Sequence, residues 1–208
     1  MKNMLRKDIY QTDRLNALTD GMFAIAMTLL VLDLNVGELG EQITSAGLWH
    51  AIASAHESIT SFVISFLLLG SMWAVHMRQF EHIKFADRRL VTINTIRLLI
   101  VVIMPLTTAI AGSYQDLVLG RMLLPINFLL LATVSYWEWH HALKSDKNLH
   151  ESVSKGFLDK ATTRNHAILI LSFFVVIASA WFGYAAFVLL LLATPAATFL
   201  ANKRAKNT

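Results

Sequence analysis

The chain has 208 residues, of which 55% are hydrophobic and 15% are charged, and its mean hydropathy is +0.53. A soluble domain carries roughly 25% charged residues, so this composition excludes an ordinary soluble protein and indicates an integral membrane protein. The sequence has no cysteine, which excludes disulfides, thiolate catalysis and thiolate metal sites. The net charge of +4 would suit a nucleic-acid partner, but the positions of the charges indicate a membrane role instead.

Six apolar segments are long enough to cross a bilayer, which takes about 20 residues per helix. They lie at about 14–34, 58–79, 89–112, 117–142, 165–183 and 184–201. The last two segments adjoin each other, so we expect a tight turn at Gly183, where glycine tolerates a positive φ. The sequence therefore predicts an all-α fold, with residues 1–208 forming a single six-helix transmembrane domain.

The basic residues orient these spans. Of the 18 Lys and Arg residues, 16 lie in the N-terminal segment, the second-to-third loop, the fourth-to-fifth loop and the C-terminus, with their flanks. The loop at 35–57 contains Glu38, Glu41 and Glu57 but no Lys or Arg, and its residues 48–52, with a tryptophan, are expected at the membrane interface. Basic residues favour the cytoplasmic side, so both termini are expected in the cytoplasm. We interpret the basic clusters as topology determinants and expect no nucleic-acid partner.

Polar residues of three consecutive spans reach a similar depth near the cytoplasmic side. Asp20 lies about 9 Å into the first span at 1.5 Å per residue, level with Trp73 and His76 of the second span. Because a bare carboxylate at this depth is costly, Asp20 is expected to have a partner in the second or third span. The candidate partners are His76, Asn94 and Arg97. This group is either a structural lock between helices or a proton relay, in which Asp20 and His76 titrate as a pair.

The first span has two distinct faces when its residues are placed at 100° intervals. One face holds Leu18, Gly21, Ile25, Thr28, Leu29 and Leu32. The other holds Asn16, Asp20, Phe23, Met27, Leu30 and Leu34. On periodicity alone, the Ile25 face is an aliphatic surface that packs against lipid or a neighbouring helix.

Residues 14–30 read Arg-x-x-x-Leu-Thr-Asp-Gly-x-Phe-Ala-Ile-x-x-Thr-Leu-Leu. This pattern resembles the first-helix signature of the transmembrane protein 175 family of potassium channels, which reads Arg, three residues, Phe-Ser-Asp, and then an Ala-Ile-x-x-Thr-Leu run. Leu18 and Thr19 replace the usual Phe and Ser, which keeps the hydroxyl group but removes an aromatic ring. The resemblance extends over the chain. It includes the six spans, the cytoplasmic termini, and Trp73 and His76 near the inner end of the second span.

The resemblance implies a leak-type cation channel of the bacterial plasma membrane that conducts potassium over sodium. It further implies a homotetramer in which the first helix of each subunit lines a central pore. By this resemblance, Ile25 forms a hydrophobic constriction, and Thr28, Leu29 and Leu32 line the adjoining layers. The implied signature network comprises Arg14, Thr19, Asp20, Trp73, His76, Asn94 and Arg97. An apolar ring offers a cation no ligand, so the ion must shed water, and potassium sheds water more cheaply than sodium. The expected partners are membrane lipid and permeant potassium, with no cofactor.

Other sequence patterns give weaker support to different functions than the first-helix motif gives to a channel. Phe182-Gly183-Tyr184 lacks the residues of a carbonyl selectivity filter. His76, His140 and His166 lie near the inner edge, which leaves a haem protein or a scaffold without transport as one alternative. No zinc-hydrolase helix motif or glycine-rich phosphate loop occurs, so we expect no resident metal and no enzyme. The main alternative to a channel is a proton-coupled carrier that uses Asp20 and His76.

Overall fold

The computed structural model describes residues 9–34, 44–144, 149 and 153–187. Helices dominate this part of the chain, with a single two-stranded sheet. The helices are α1 (Thr12–Leu29), which a 3-10 turn (Leu30–Asp33) extends, α2 (Ser45–Ser54), α3 (His56–Phe80), α4 (Arg88–Ser113), α5 (Val118–Leu143) and α6 (Lys155–Phe182). The strands are β1 (Ile9–Gln11) and β2 (Phe85–Asp87), which pair antiparallel.

Within the described residues, five helices are long and apolar enough to cross a membrane, namely α1 with its extension, α3, α4, α5 and α6. They correspond to the first five predicted spans. The sixth prediction, 184–201, falls almost entirely outside the described residues. The predicted outer loop at 35–57 contains α2, whose side chains are mostly exposed, and its location at the membrane interface stays a prediction.

The helix that contains the predicted fifth span, about 165–183, begins ten residues before that span. Helix α6 begins at Lys155, after Ser154, whose Oγ accepts a hydrogen bond of 3.2 Å from the Phe157 backbone amide. Such a cap starts a helix without regard to hydropathy, whereas the apolar pattern begins only after Arg164. At the other end, Gly183 terminates α6 with a φ of 54°, as the expected turn requires.

Helix α4 lies at the centre of the fold, where it packs against α1, α3 and α5, and α6 packs on α5. The main core joins side chains of all five long helices, among them Phe23, Leu69, Met104, Leu124 and Val175. At the end of the bundle away from the small sheet, α3 and α4 approach closely at Gly112, where a Cβ would lie 2.8 Å from Ser61 Oγ. Small residues allow such close approaches between membrane helices.

The small sheet fixes the start of α1 to the start of α4. Tyr10 pairs with Ala86 in the register, and Thr12 Oγ1 donates a 3.2 Å hydrogen bond to the Ile83 carbonyl. Asp87 then caps α4, because its Oδ1 accepts a 2.7 Å hydrogen bond from the Leu90 amide. The first helix therefore has a fixed entry point, and its rotation decides which side chains face outward.

Candidate functional site

Helix α1 presents an apolar stripe that the described helices of its own chain leave uncovered. Ile25 is 56% exposed and Leu32 is 75% exposed, with Leu29 between them also exposed. The opposite side of the same helix is sealed, since Phe23, Ala26 and Leu30 are buried in the core. The two faces agree with the 100° periodicity of the sequence. The stripe is therefore available to lipid or to another protein chain.

Thr28 lies on the exposed side and supplies an oxygen atom there. Its Oγ1 donates a 2.8 Å hydrogen bond to the Ile25 carbonyl of its own helix. A hydroxyl group has one proton and two acceptor lone pairs, so this bond uses the donor and leaves the oxygen free to accept. Thr28 can thus offer a weak oxygen ligand within an otherwise apolar stripe.

A chain of hydrogen bonds ties the buried side of α1 to α4. Asn94 Nδ2 donates to Thr19 Oγ1 at 3.0 Å, and Thr19 Oγ1 donates to the Leu15 carbonyl at 2.8 Å. Arg97 Nη2 donates to Asn94 Oδ1 at 2.7 Å. Thr19 and Asn94 are buried, so a rotation of α1 would break the bond between them and leave the Asn94 amide without its acceptor, at a cost of about 1–3 kcal/mol.

The expected partners of Asp20 were wrong, because Trp73 binds it instead. Trp73 Nε1 of α3 donates a 2.8 Å hydrogen bond to Asp20 Oδ1. Thr19 and Asp20 are adjacent, so they point about 100° apart around the helix. Thr19 consequently takes the position facing α4, and Asp20 lies at the exposed edge and reaches α3.

Arg97 is at the centre of a buried charged cluster that sequence reasoning did not predict in full. Its Nη1 lies 2.6 Å from Glu138 Oε2 of α5, and its Nη2 lies 2.6 Å from His76 Nδ1 of α3. The rings of Phe23 and Phe80 lie about 6 Å from the guanidinium carbon, within the range of cation–π attraction. Glu138 was missed, although an acidic residue inside a predicted span is itself a signal.

His76 is an acceptor in this cluster. A guanidinium has only donors, so the proton of the neutral ring lies on Nε2 and Nδ1 accepts from Arg97. The proposed titrating pair of Asp20 and His76 is therefore not formed, since each has a different partner. The structure does not favour the carrier alternative.

Arg14, the first residue of the sequence motif, is not joined to this cluster. It is exposed at the start of α1, and neither of the two ion pairs within the described residues includes it.

The histidines that suggested a haem alternative have ordinary partners. His166 Nε2 lies 3.1 Å from the Tyr136 hydroxyl, and its Nδ1 lies 2.8 Å from the Thr162 carbonyl. The His140 ring stacks on Tyr136. Among the residues that the structure describes, no group of three or more His, Cys, Asp or Glu side chains is arranged to hold a metal ion.

Comparison with known proteins identifies the family. Residues 14–105 match the family model described as endosomal/lysosomal potassium channel TMEM175. A potassium channel of Streptomyces collinus is 38% identical over 104 residues, which is 50% of this chain and 49% of that protein. A potassium channel of Chamaesiphon minutus is 30% identical over 155 residues, which is 73% of this chain and 76% of that protein. The match thus spans about half of the first relative and three quarters of the second.

A human protein and two solved structures are also similar to this chain. The human endosomal/lysosomal proton channel TMEM175 is 30% identical over 131 residues, or 26% of its length. The crystal structure of a lysosomal potassium-selective channel TMEM175 homolog from Chamaesiphon minutus superposes with a TM-score of 0.77 at 24% identity, over 92% of this chain and 98% of that one. A second TMEM175 structure gives a TM-score of 0.62 at 17% identity, so the fold is shared. On the sequence identity to the Chamaesiphon relative and on the family model, this chain belongs to the TMEM175 family.

Proposed function

We propose that this chain is the subunit of a homotetrameric, potassium-selective, leak-type cation channel in which α1 lines a central pore. The observation that carries the proposal is the half-exposed Ile25 stripe on a helix whose other side is sealed against the core. The bacterial relatives named as potassium channels support the same function. The mechanism is passive permeation, without catalysis and without a cofactor other than the permeant ion.

The stripe accounts for the need for several subunits. One helix cannot enclose a path, so a pore lined by α1 requires copies of α1 around a common axis. In a tetramer, the four Ile25 side chains form the narrowest ring, and Leu29 and Leu32 form rings beside it. The Thr28 oxygens, whose lone pairs are free, are then the first protein ligands that an ion meets next to the constriction.

Selectivity in such a pore arises from dehydration. A ring of isoleucine side chains provides no ligand to replace the water that an ion loses, so the ion with the lower dehydration cost passes more easily. Potassium is therefore preferred over sodium, by less than in a filter of backbone carbonyls. Narrow apolar rings also close when water leaves them, which gives the same residues a gating role.

The polar network has a positioning role in this proposal. The bonds from Thr19 to Asn94 and from Asp20 to Trp73 hold α1 against α4 and α3 at two different angles. Together they fix the rotation of α1, so that the Ile25 stripe faces away from the subunit core. We assign the network to the alignment of the pore helix.

We propose that the channel spans the plasma membrane of a bacterium with both termini in the cytoplasm. The asymmetric placement of Lys and Arg supports this orientation. The five candidate membrane helices support a multi-pass protein surrounded by lipid. The partners of a subunit are then three further copies, lipid and potassium ions.

Reversal potentials of the purified protein in planar bilayers, under opposed potassium and sodium gradients, test the proposal. The wild type should carry unitary currents that favour potassium, and Ile25→Asn should raise conductance and reduce selectivity. Ile170→Asn on α6 is the matched control, since Ile170 is 55% exposed against 56% for Ile25. Equal effects of the two substitutions would refute the constriction, and saturable exchange without unitary currents would refute the channel.

Two additions complete this experiment. The subunit count in detergent tests the tetramer directly, and a dimer or monomer that still conducts would overturn the shared pore. A pH gradient without potassium tests proton flux, because the human relative is named a proton channel. Proton current larger than potassium current would reassign the permeant ion.

A further inference from the structure

Two arginines of different helices lie toward the end of the bundle that holds the small sheet. The positive charge of Arg78, near the end of α3, acts on that of Arg164 in α6. The turn that follows α3 contacts α6 here, because the ring of His82 stacks on Phe157 of α6 at 3.9 Å between centroids. The same histidine ring lies 3.0 Å from the Arg78 carbonyl, which fixes this contact next to Arg78.

These arginines have no carboxylate partner in the described part of the chain. The ion pairs there join Arg97 to Glu138 and His141 to Asp87. Arg164 is half-buried, and its Nε and Nη2 atoms are shielded without a hydrogen-bond acceptor. A guanidinium stays protonated, and shielding its N–H groups without an acceptor costs free energy. An anion with several oxygen atoms would supply the acceptors that the described residues do not.

The position of Arg164 along α6 indicates how deep this site lies in the bilayer. The apolar part of α6 runs from Asn165 to Phe182, which is about 27 Å at 1.5 Å per residue. This length is close to the hydrocarbon thickness of a bilayer, about 30 Å. Arg164 thus lies at the border of the hydrocarbon, where lipid phosphate groups are found, and Lys160 lies one turn farther out, exposed.

We propose that Arg78 and Arg164 bind the phosphate group of an anionic phospholipid between α3 and α6. Guanidinium forks match phosphate oxygens in a bidentate geometry, and basic pockets between membrane helices on the cytoplasmic side bind lipid headgroups. The site is separate from the α1 stripe and does not depend on ion conduction. A soluble phosphate has the same chemistry, and the experiment below separates the two sources.

The test measures lipid binding by the purified, delipidated protein in detergent. Short-chain phosphatidylglycerol, short-chain phosphatidylcholine and inorganic phosphate are each titrated while the thermal unfolding midpoint is recorded. Phosphatidylglycerol should raise the midpoint at concentrations where the other two do not. Arg78→Gln/Arg164→Gln should weaken its apparent affinity by about tenfold or more, as expected for lost charge-assisted hydrogen bonds.

Arg88→Gln/Arg89→Gln is the matched control, because it removes two exposed positive charges near the same end of the bundle. It should keep the affinity within about twofold, since bulk charge attraction alone is weak. If the Arg164 variant does not fold, Arg78→Gln alone serves, because that side chain is exposed. Equal affinities of the arginine-pair variant and the wild type, no preference over phosphatidylcholine, or an equal shift with inorganic phosphate would each overturn the lipid assignment.

Discussion

Glu138 Oε2 lies 2.6 Å from Arg97 Nη1, and both side chains are about 1% exposed. This pair joins α5 to α4, and the same guanidinium reaches His76 of α3 and Asn94. Asn94 in turn holds Thr19 of α1. Four helices therefore depend on a single buried cation, whose charge Glu138 balances.

Glu138→Leu is expected to lower the free energy of unfolding by about 3–5 kcal/mol, because it leaves the Arg97 charge buried without a counterion. Chemical denaturation in detergent, followed by helical circular dichroism, measures this loss. Arg97→Met/Glu138→Leu removes both charges, so its loss should be smaller than the sum of the losses of the two single variants. Asp159→Asn, an exposed carboxylate of α6, should change the free energy by less than about 0.5 kcal/mol. A loss of that small size for Glu138→Leu would contradict the role of the pair.

The Trp73–Asp20 hydrogen bond is expected to produce a measurable coupling energy between the two side chains. Trp73→Phe keeps an aromatic ring but removes the donor, and Asp20→Leu removes the acceptor. A double-mutant cycle should give a coupling of about 1.5–3 kcal/mol in the free energy of unfolding, the range of hydrogen bonds to charged groups. Trp137→Phe, an exposed tryptophan of α5, should be additive with Asp20→Leu. Additivity of the Trp73 pair would show that the contact contributes nothing to the position of α1.

The helices and the faces of α1 were predictable because hydropathy and a 100° period encode them locally. Ile25 and Phe23 take opposite faces simply because they are two residues apart. The start of α6 was not predictable in this way, since its first ten residues carry charges and begin at the cap of Ser154. A charged helical extension beyond the membrane looks like a loop when only apolar runs are counted.

The pairing of the polar residues could not be predicted from depth alone. Asp20 and Thr19 reach the same level, but the rotation of α1 decides that Thr19 meets Asn94 and Asp20 meets Trp73. Glu138 lies near the predicted end of its span, between two tryptophans, where a carboxylate resembles an interfacial residue. Glu138 is buried because α4 places Arg97 opposite it, and this packing between helices is not encoded in the local sequence.

Gly112→Ala is expected to destabilise the protein through the close approach of α3 and α4. The added Cβ would lie 2.8 Å from Ser61 Oγ and 3.1 Å from Ser58 Cα, and overpacking of this kind costs about 1–3 kcal/mol. Thermal unfolding in detergent measures the change. Gly70→Ala is the control, because nothing lies within 4 Å of its Cβ position, and it should be neutral or stabilising by up to about 1 kcal/mol. Equal midpoints for both variants would contradict close packing at Gly112.

Thr28→Val tests whether the hydroxyl oxygen beside the proposed constriction contributes to conduction. Valine keeps the shape of threonine but removes the oxygen whose lone pairs remain free in the structure. If a potassium ion uses this oxygen while it is partly dehydrated, the substitution should lower potassium conductance and bring the potassium-to-sodium permeability ratio closer to one. Reversal potentials and unitary currents in planar bilayers measure both quantities.

Thr95→Val separates this effect from a general loss of a helix-bound hydroxyl. Thr95 is exposed on α4, and its Oγ1 donates a 2.9 Å hydrogen bond to the Val91 carbonyl, much as Thr28 does to Ile25. The two threonines therefore share their local chemistry and differ in the helix that carries them. Thr95→Val should leave conductance and selectivity at wild-type values. Parallel changes in both variants would assign the effect to helix geometry, and unchanged currents in Thr28→Val would limit ion contact to the apolar rings of Ile25, Leu29 and Leu32.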